Sequence, residues 1–196
     1  MGISRLAVIE EGVQIGVGVT IEPFAIIKLG VVIHNGAKIY SNTRIEERCV
    51  IGENSFVGHG VLMRPDTIIG KNCVVAHELV FEGDTIVGDY SVIHDQTHVT
   101  KGIRIGSKVF IGPSVVTSND RRMCHMRVCL DFVVQAPIIG DGARIGAGAL
   151  LLPNTVIGNN ALIGGGSVVT KDIPENAIAY GNPARVVGEV PENERL

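Results

Sequence analysis

The sequence predicts an all-β solenoid in which short parallel strands wind into a triangular coil. Three observations lead to this prediction: a six-residue apolar period, small or polar residues between the apolar positions, and an unusual composition. The 196 residues include 25 glycines, whereas aromatic residues make up only 4% and tryptophan is absent. The core must therefore be built from aliphatic side chains, and many turns are expected.

The apolar period runs from Ile3 to Ile111 without interruption. At 19 consecutive positions spaced by six, the residue is Ile or Val, except for Met63 and Phe81. We call this position one of the hexad. Position five is small at 11 of the 19 hexads, and position two is often glycine. An internal repeat of this kind is the signature of a solenoid.

Each hexad is interpreted as one short strand and one turn. Positions five, six and the next position one form the strand, so that five and one point inward and six points outward. Positions two to four form the turn, where Gly and Asn tolerate the backbone angles required. Three strands close a coil of 18 residues, and successive coils bury their apolar residues against one another.

The period breaks once. It stops after Val116 and resumes at Val133 in a shifted phase, so segment 117–132 is predicted to be a loop inserted at one corner. The two blocks hold 26 hexads, or nearly nine coils. We therefore predict a parallel β-helix over 1–174 and a C-terminal cap and tail over 175–196.

Bulk properties exclude several classes of protein. The net charge of −3 argues against a nucleic-acid-binding protein, which would normally carry a basic patch. No apolar stretch approaches the roughly 20 residues of a membrane span. The four cysteines are irregularly spaced and do not suggest a disulfide framework. With no convincing signal peptide, a reduced, cytoplasmic protein is expected.

Two C-terminal segments point to a family. The run IGGGSVVTKDIP at 163–174 and the tail GNPAR at 181–185 resemble the acetyl-CoA-binding end of the hexapeptide-repeat acyltransferases. The resemblance implies a left-handed β-helix, acetyl-CoA as co-substrate and assembly as a homotrimer. Handedness comes from the resemblance alone, since general crossover rules favour the opposite hand.

A third segment narrows the resemblance. The run FIGPSVVTSND at 110–120, followed by the inserted loop, is similar to N-acetyltransferases that act on amino groups of nucleotide-linked sugars for surface polysaccharide. The preceding hexad, IHDQTH at 93–98, departs from that group. His94 and Asp95 stand where those relatives often have Gln and Asn, so a sugar O-acetyltransferase stays open.

Acetyl transfer requires a base with a pKa near the working pH, and histidine is the natural candidate. His94, Asp95 and His77 are the expected catalytic residues. The hexad arithmetic stacks Asp95 over His77, and the Ala76-His77-Glu78 turn resembles the catalytic Ala-His-Asp turn of other hexapeptide acyltransferases. His94 is the favoured base, with His77 or a mechanism that needs no base as alternatives.

The expected acceptor-binding residues lie in the same hexad and in the loop. Outward-facing His98 is expected to meet either the acceptor or a neighbouring subunit. The loop arginines can pair with a diphosphate, because the planar guanidinium suits phosphate, or can simply be solvated. The predicted acceptor-binding residues are Gln96, His98, Asn119, Arg121 and Arg122.

The expected acetyl-CoA contacts are of two kinds. Small residues let an extended pantetheine arm lie along the coil edges and bond to backbone groups, namely Ala147, Gly148, Gly165 and Gly166. Lys171 and Arg185 are expected to meet the phosphates of CoA. No metal is expected, because the spacing of Cys124, His125 and Cys129 fits no usual zinc motif.

Two other function classes remain open. Carbonic anhydrases of this fold bind zinc through three histidines, and His77 and His94 could supply two of them. The other alternative is a scaffold without catalytic activity, since some solenoids only bind partners.

Overall fold

The computed structural model describes residues 2–196, and its fold follows the hexads. Strands β1 to β25 are two residues long, and a hairpin and a short 3-10 helix complete the chain. Their bounds are β1 Val8–Ile9, β2 Gln14–Ile15, β3 Thr20–Ile21, β4 Ile26–Ile27, β5 Val32–Ile33, β6 Lys38–Ile39, β7 Arg44–Ile45, β8 Val50–Ile51, β9 Phe56–Val57, β10 Leu62–Met63, β11 Ile68–Ile69, β12 Val74–Val75, β13 Val80–Phe81, β14 Ile86–Val87, β15 Val92–Ile93, β16 His98–Val99, β17 Arg104–Ile105, β18 Phe110–Ile111, β19 Val116–Thr117, β20 Ile138–Ile139, β21 Arg144–Ile145, β22 Leu150–Leu151, β23 Val156–Ile157, β24 Leu162–Ile163, β25 Val168–Val169, β26 Ala177–Tyr180, β27 Arg185–Glu189 and the 3-10 helix Glu192–Glu194.

Three sheets form the faces of a prism. Every third strand pairs in parallel with the strand one coil away, so that β1, β4, β7 and their successors to β25 form sheet I. In the same way β2 to β23 form sheet II, and β3 to β24 form sheet III, which the hairpin β26–β27 extends. The predicted all-β coil of parallel strands is confirmed.

The hexad positions point as expected. Position-one side chains such as Ile93 and Ile145 are fully buried, whereas position-six side chains are outward and partly exposed. Position four adopts left-handed backbone angles, for example φ = 61° at Asn42 and 54° at Asn54. Asn and Gly recur there because they tolerate this conformation at little cost.

Position five closes the corners with small buried groups. Most of the hydroxyls at this position donate to a backbone carbonyl. Some reach the next coil, as Ser55 Oγ does to Gly70 O at 2.7 Å and Thr97 Oγ1 to Gly112 O at 3.2 Å, and others reach their own turn, as Thr67 Oγ1 does to Arg64 O at 2.8 Å. Burying a hydroxyl is costly unless it is hydrogen-bonded. The polar position-five residues are therefore compatible with a dry core.

The break in the repeat lies later than the sequence predicted. Thr117 is part of β19 and pairs with Leu151, and its side chain is 3% exposed. The segment without strands is 118–137, so the expected loop bounds of 117–132 are wrong. The hexad expected at Val133 is also absent, because Val133 lies in the loop and is 60% exposed.

The chain ends in a cap over the last coil. Ile173 bridges to Ile157, and β26 then pairs with β24 before turning back antiparallel into β27. Ala179 and Val190 are fully buried at this end. The cap covers the edge of sheet III that the last coil would otherwise leave unpaired.

Candidate active site

The turns between strands build three corners, two of which carry the predicted site residues. The histidine corner joins sheet III to sheet I and includes turns 58–61, 76–79, 94–97, 112–115, 146–149 and 164–167. The loop corner joins sheet I to sheet II and includes turns 46–49, 64–67, 82–85 and 100–103, segment 118–137, turn 152–155 and the residues that follow β25.

Backbone hydrogen bonds fix the stacking at the histidine corner. The N–H at position four donates to the carbonyl at position three of the coil below, which is the preceding coil in the sequence, at 2.8–3.0 Å. These bonds are Glu78 to His59, Gln96 to His77, Ser114 to Asp95, Gly148 to Pro113 and Gly166 to Ala147. The three predicted catalytic residues and the four predicted pantetheine contacts therefore lie along one edge.

The N-terminal half of this edge is held by side chains. The His59 N–H donates to Nδ1 of His77 at 2.9 Å, and the His77 N–H donates to Oδ1 of Asp95 at 2.8 Å. The imidazoles of His59 and His77 stack with centroids 5.1 Å apart. Because Nδ1 of His77 accepts a hydrogen bond, the neutral ring carries its proton on Nε2.

His94 and Gln96 flank Asp95 on the same turn. The His94 ring leans toward sheet III, where its centroid lies 5.2 Å from that of Phe110. The Gln96 amide donates to the Glu78 carboxylate one coil below at 3.1 Å. Both side chains are thus at the corner surface, as predicted, but they lean in different directions.

Above Asp95 the side-chain contacts stop. The next position-three residues are Pro113, Ala147 and Gly165, none of which has a side chain that accepts a hydrogen bond. Within residues 2–196, the backbone N–H groups of Asp95, Ala147 and Gly165 make no hydrogen bond to another residue. Proline 113 has no N–H to offer.

The same stretch is unusually open. A Cβ atom built on Gly148 would meet no atom within 4 Å, and the same is true of Gly166. Ala147, Gly148, Gly165 and Gly166 are all exposed. This edge therefore presents bare backbone donors next to imidazole, carboxylate and amide groups, an arrangement suited to an extended ligand that carries carbonyl oxygens.

His98 lies away from this edge, on the outer surface of sheet I. Its Nε2 lies 3.1 Å from Oε1 of Glu82, and the other oxygen of Glu82 accepts from the Thr100 hydroxyl at 3.1 Å and the Lys101 N–H at 3.3 Å. Burial alone would raise the pKa of the Glu82 carboxyl, but these bonds from Lys101, Thr100 and His98 bring it below its usual value.

Sequence reasoning missed Glu82. Its signal is the 18-residue spacing to Thr100, which places Glu82 directly beneath that residue and beside His98.

The predicted loop residues lie at the other corner. Asn119 is anchored at the base of the loop, where its side-chain amide donates to Lys101 O at 3.0 Å. Arg121 and Arg122 line a cavity of about 660 Å³. Asp120 holds this turn, because its carboxylate accepts the N–H groups of Cys124 and Arg122, which lower its pKa.

Within one chain, the structure therefore does not bring these loop residues to the histidine corner. The loop leaves the coil next to the one that holds His94, Asp95 and His98, but sheet I lies between it and the His94–Asp95 turn. It does lie beside His98, since Thr117 at the base of the loop donates its hydroxyl to His98 O at 3.2 Å.

Arg185 and Lys171, the two residues expected to contact the CoA phosphates, lie at different corners. Arg185 belongs to the cap and lies near the C-terminal end of the histidine corner, since the adjacent Ala184 donates its N–H to Val168 O at 2.8 Å. Lys171 follows β25 at the loop corner. A single CoA bound along the histidine corner therefore has Arg185, but not Lys171, beside it in the same chain.

Residues 2–196 contain no group of three or more His, Cys, Asp or Glu side chains placed to hold a metal ion. No helix in this part of the chain is both long and apolar enough to cross a membrane.

Comparison with known families identifies the repeat. The bacterial transferase hexapeptide model, which describes six repeats, matches residues 30–65, 48–83 and 136–171. This chain is a hexapeptide-repeat protein. Its fold is the left-handed parallel β-helix that the family resemblance implies.

Individual relatives include sugar-modifying transferases. The hexapeptide-repeat protein is 53% identical over 53 residues to a dTDP-3-amino-3,6-dideoxy-alpha-D-galactopyranose 3-N-acetyltransferase of Aneurinibacillus thermoaerophilus, covering 27% of this chain and 28% of that protein. It is 37% identical over 95 residues to a galactoside O-acetyltransferase of Escherichia coli, covering 47% of each. These alignments span half or less of either relative.

Several solved structures match over nearly the whole chain. A UDP-N-acetylglucosamine acyltransferase of Bacteroides fragilis superposes with a TM-score of 0.81 at 27% identity, covering 95% of this chain and 74% of that one.

Proposed function

We propose that the hexapeptide-repeat protein transfers an acetyl group from acetyl-CoA to the amino group of a nucleotide-linked sugar, as a homotrimer. The observation that carries the proposal is the histidine corner. There the exposed small residues and the unpaired N–H groups of Ala147 and Gly165 are separated by a single turn, 112–115, from the turn that holds His94, Asp95 and Gln96.

The pantetheine arm is the part of acetyl-CoA that suits this edge. It is extended and carries amide groups, so its carbonyl oxygens can accept from the N–H groups of Ala147 and Gly165 while Gly148 and Gly166 leave room beside it. Arg185 lies at the end of the edge where the CoA phosphates would emerge. The acetyl group would then reach the coil of His94 and Asp95.

The acceptor side of the proposal rests on residues at the turns below and on the loop. Gln96 and His98 follow Asp95 on the same coil, and His77 presents an Nε2–H donor one coil below. Arg121 and Arg122 offer guanidinium groups to the diphosphate of a nucleotide.

The homotrimer is part of the proposal because the loop and the histidine corner are on opposite edges of sheet I. Threefold symmetry would place the loop corner of one subunit against the histidine corner of the next. Asn119, Arg121 and Arg122 would then contact the acceptor bound at a neighbouring subunit, and Lys171 would contact the CoA phosphates there.

The amino group is favoured over a hydroxyl by the similarity to the dTDP-amino-sugar N-acetyltransferase, which has the highest identity of the relatives described above. The similarity to the galactoside O-acetyltransferase supports O-acetylation as the second candidate, over a longer alignment at lower identity.

The test is a screen of acetyl-CoA against nucleotide-linked amino sugars and simple sugars, with release of free CoA thiol as the assay. Acetyl-CoA alone should first raise the melting temperature, because a ligand that binds only the folded state stabilises it. Alkali then separates the candidates: an N-acetyl product resists mild base and an O-acetyl ester is cleaved. Absence of both stabilisation and thiol release would contradict the proposal.

A further inference from the structure

We propose that His98, positioned by Glu82, is the general base that removes the proton from the acceptor. This inference rests on the proposed acetyl transfer and differs from the expectation that His94 is the base. It rests on a difference between the histidines in which ring nitrogen forms a hydrogen bond and which group is its partner.

His98 has the arrangement that a base requires. With Nε2 bound to the Glu82 carboxylate, the proton of the neutral ring lies on Nε2 and Nδ1 keeps a free lone pair. Within residues 2–196, Nδ1 of His98 makes no hydrogen bond to another residue. When Nδ1 takes a proton, the resulting imidazolium stays paired with Glu82.

The other two candidates lack this arrangement. His77 has its Nδ1 engaged by the His59 N–H, so its neutral ring has a donor and no free lone pair. The His94 ring packs against Phe110 and has no carboxylate partner in the described chain, 2–196. Asp95 is the nearest acid in sequence to His94, but its Oδ1 is occupied by the His77 N–H.

Glu82 is a positioning residue and is itself fixed. Three donors hold it, from His98, Thr100 and Lys101, and its side chain is 29% exposed whereas that of His98 is 41% exposed. The imidazole is therefore accessible to a substrate while the carboxylate behind it is partly shielded. The Thr117 hydroxyl bonded to His98 O adds a contact at the backbone.

The surroundings of His98 on sheet I are apolar. The outward residues of the strands on either side are Val80 and Val116, and the residues two coils away are Leu62 and Leu150. The charged groups near Glu82 share a groove at the loop corner, and they are Arg48, Arg64, Asp66, Asp84 and Lys101. An imidazole–carboxylate pair among aliphatic side chains has no evident packing role.

His98 also has a suitable location. It is two residues past Gln96 along the same coil, which at about 3.3 Å per residue in a strand is roughly 7 Å. The amino group must reach both Nδ1 of His98 and the thioester carbonyl carbon, so the acetyl group would extend from the corner over Gln96 to His98.

The step balances with a neutral acceptor amine. The amine lone pair forms a bond to the thioester carbonyl carbon, and one N–H proton passes to Nδ1 of His98. The carbon–sulfur bond breaks, and the departing CoA sulfur receives that proton from His98. The products are the N-acetyl sugar and free CoA thiol, and His98 returns to its neutral form.

Three variants test this assignment: His98→Ala, Glu82→Gln and the control Glu46→Gln. Glu46 also occupies position two at the loop corner and pairs with Arg44, but it is two coils from Glu82. With an acceptor from the screen, His98→Ala should lower kcat about 10²- to 10⁴-fold, the usual worth of a general base. Its binding of acetyl-CoA should stay within a factor of two, and free imidazole should restore part of the rate.

Glu82→Gln should lower kcat about 10- to 100-fold and leave the KM for acetyl-CoA within a factor of two, because the neutral amide no longer stabilises the imidazolium that forms when Nδ1 takes the proton. A merely structural role of Glu82 would not separate kcat from KM in this way. Glu46→Gln should leave both kcat and KM unchanged.

The possible failures can be told apart. If His98→Ala stays folded and keeps its rate within about threefold, His98 is not the base and acetyl transfer itself still stands. A wild-type NMR spectrum with the proton on Nδ1 would also overturn the assignment. If the wild-type protein binds no acetyl-CoA, the proposed function fails, and the assignment of a base fails with it.

Discussion

The free backbone donors of the histidine corner can be blocked by a substitution that the chain already uses elsewhere. At the third corner, which joins sheet II to sheet III, Asn159 Oδ1 accepts the Asp141 N–H at 2.9 Å, and Asn35 Oδ1 accepts the Val17 N–H at 2.8 Å. Gly165 occupies the equivalent position-three site above Ala147. The variant Gly165→Asn should therefore bring an acceptor to the Ala147 N–H.

The backbone permits this change with a small adjustment. Gly165 does not have a left-handed φ, and a Cβ there would lie 3.1 Å from Ala147 O, so that carbonyl must move by a few tenths of an ångström. One added hydrogen bond contributes about 0.5–1.5 kcal/mol. Since 1 kcal/mol corresponds to about 2–4 °C for a chain of this size, the variant without ligand should melt no lower than about 2 °C below wild type.

Acetyl-CoA binding should respond in the opposite sense. A pantetheine oxygen can no longer reach the Ala147 N–H, and a buried acceptor left unpaired costs about 1–3 kcal/mol, or about 5- to 150-fold in Kd. Isothermal titration calorimetry measures this loss directly. The matched control is Ser107→Asn, which offers the same side chain to the free Asp89 N–H at the third corner and should bind acetyl-CoA normally.

The result that would refute this reasoning is specific. If Gly165→Asn binds acetyl-CoA as tightly as wild type, the pantetheine arm does not use this stretch of the corner. If Ser107→Asn weakens acetyl-CoA binding equally, the loss comes from a general distortion of the coils, and it gives no evidence that acetyl-CoA binds at the histidine corner.

Two further predictions concern the core. Ile93→Ala removes a fully buried side chain from the coil that holds the candidate site, and it should lower the free energy of unfolding by about 2–5 kcal/mol in denaturant titration. The control Ile68→Ala changes a residue that is 39% exposed and should lower it clearly less. Equal losses would contradict the inward assignment of position one. Burial raises the pKa of the Cys49 thiol from 9.0 to about 11, so its thiolate fraction at pH 8 falls about 100-fold. Iodoacetamide labelling followed by mass spectrometry should therefore modify exposed Cys129 first, and labelling of Cys49 at the same rate in folded protein would show that it is not buried.

The fold could be predicted because one physical requirement recurs at every coil. An inward side chain at position one must be apolar, so Ile and Val mark it at each step. Thr117 escaped this rule because its hydroxyl is satisfied internally, by the Thr100 N–H at 2.8 Å and by His98 O. Val133 was wrongly predicted to be a position-one residue, because it is apolar and lies six residues before Ile139, whereas the structure places it in the loop.

The candidate site could be predicted only in part. Spacing by 18 correctly stacked Asp95 over His77, because no residue is inserted between those coils. Across the insertion the arithmetic fails: Pro113 is stacked on Ala147, 34 residues later, as the Gly148 N–H to Pro113 O bond shows. The contact between His98 and Glu82 joins different hexad positions on adjacent coils, and no repeat pattern encodes which way two such side chains lean.

The histidine corner differs from the third corner because its later hexads lack a side-chain acceptor at position three. Both corners have the same coil geometry and the same position-four bonds, and at several coils of the third corner an Asn or Asp at position three consumes the N–H below it. At the histidine corner Asp95 is the last position-three side chain that accepts such an N–H, because the next three residues at this position are proline, alanine and glycine. A ligand edge can thus arise in a regular solenoid without any new structural element. The substitutions that create it remove acceptors, and the core beneath, built from positions one and five, is unchanged.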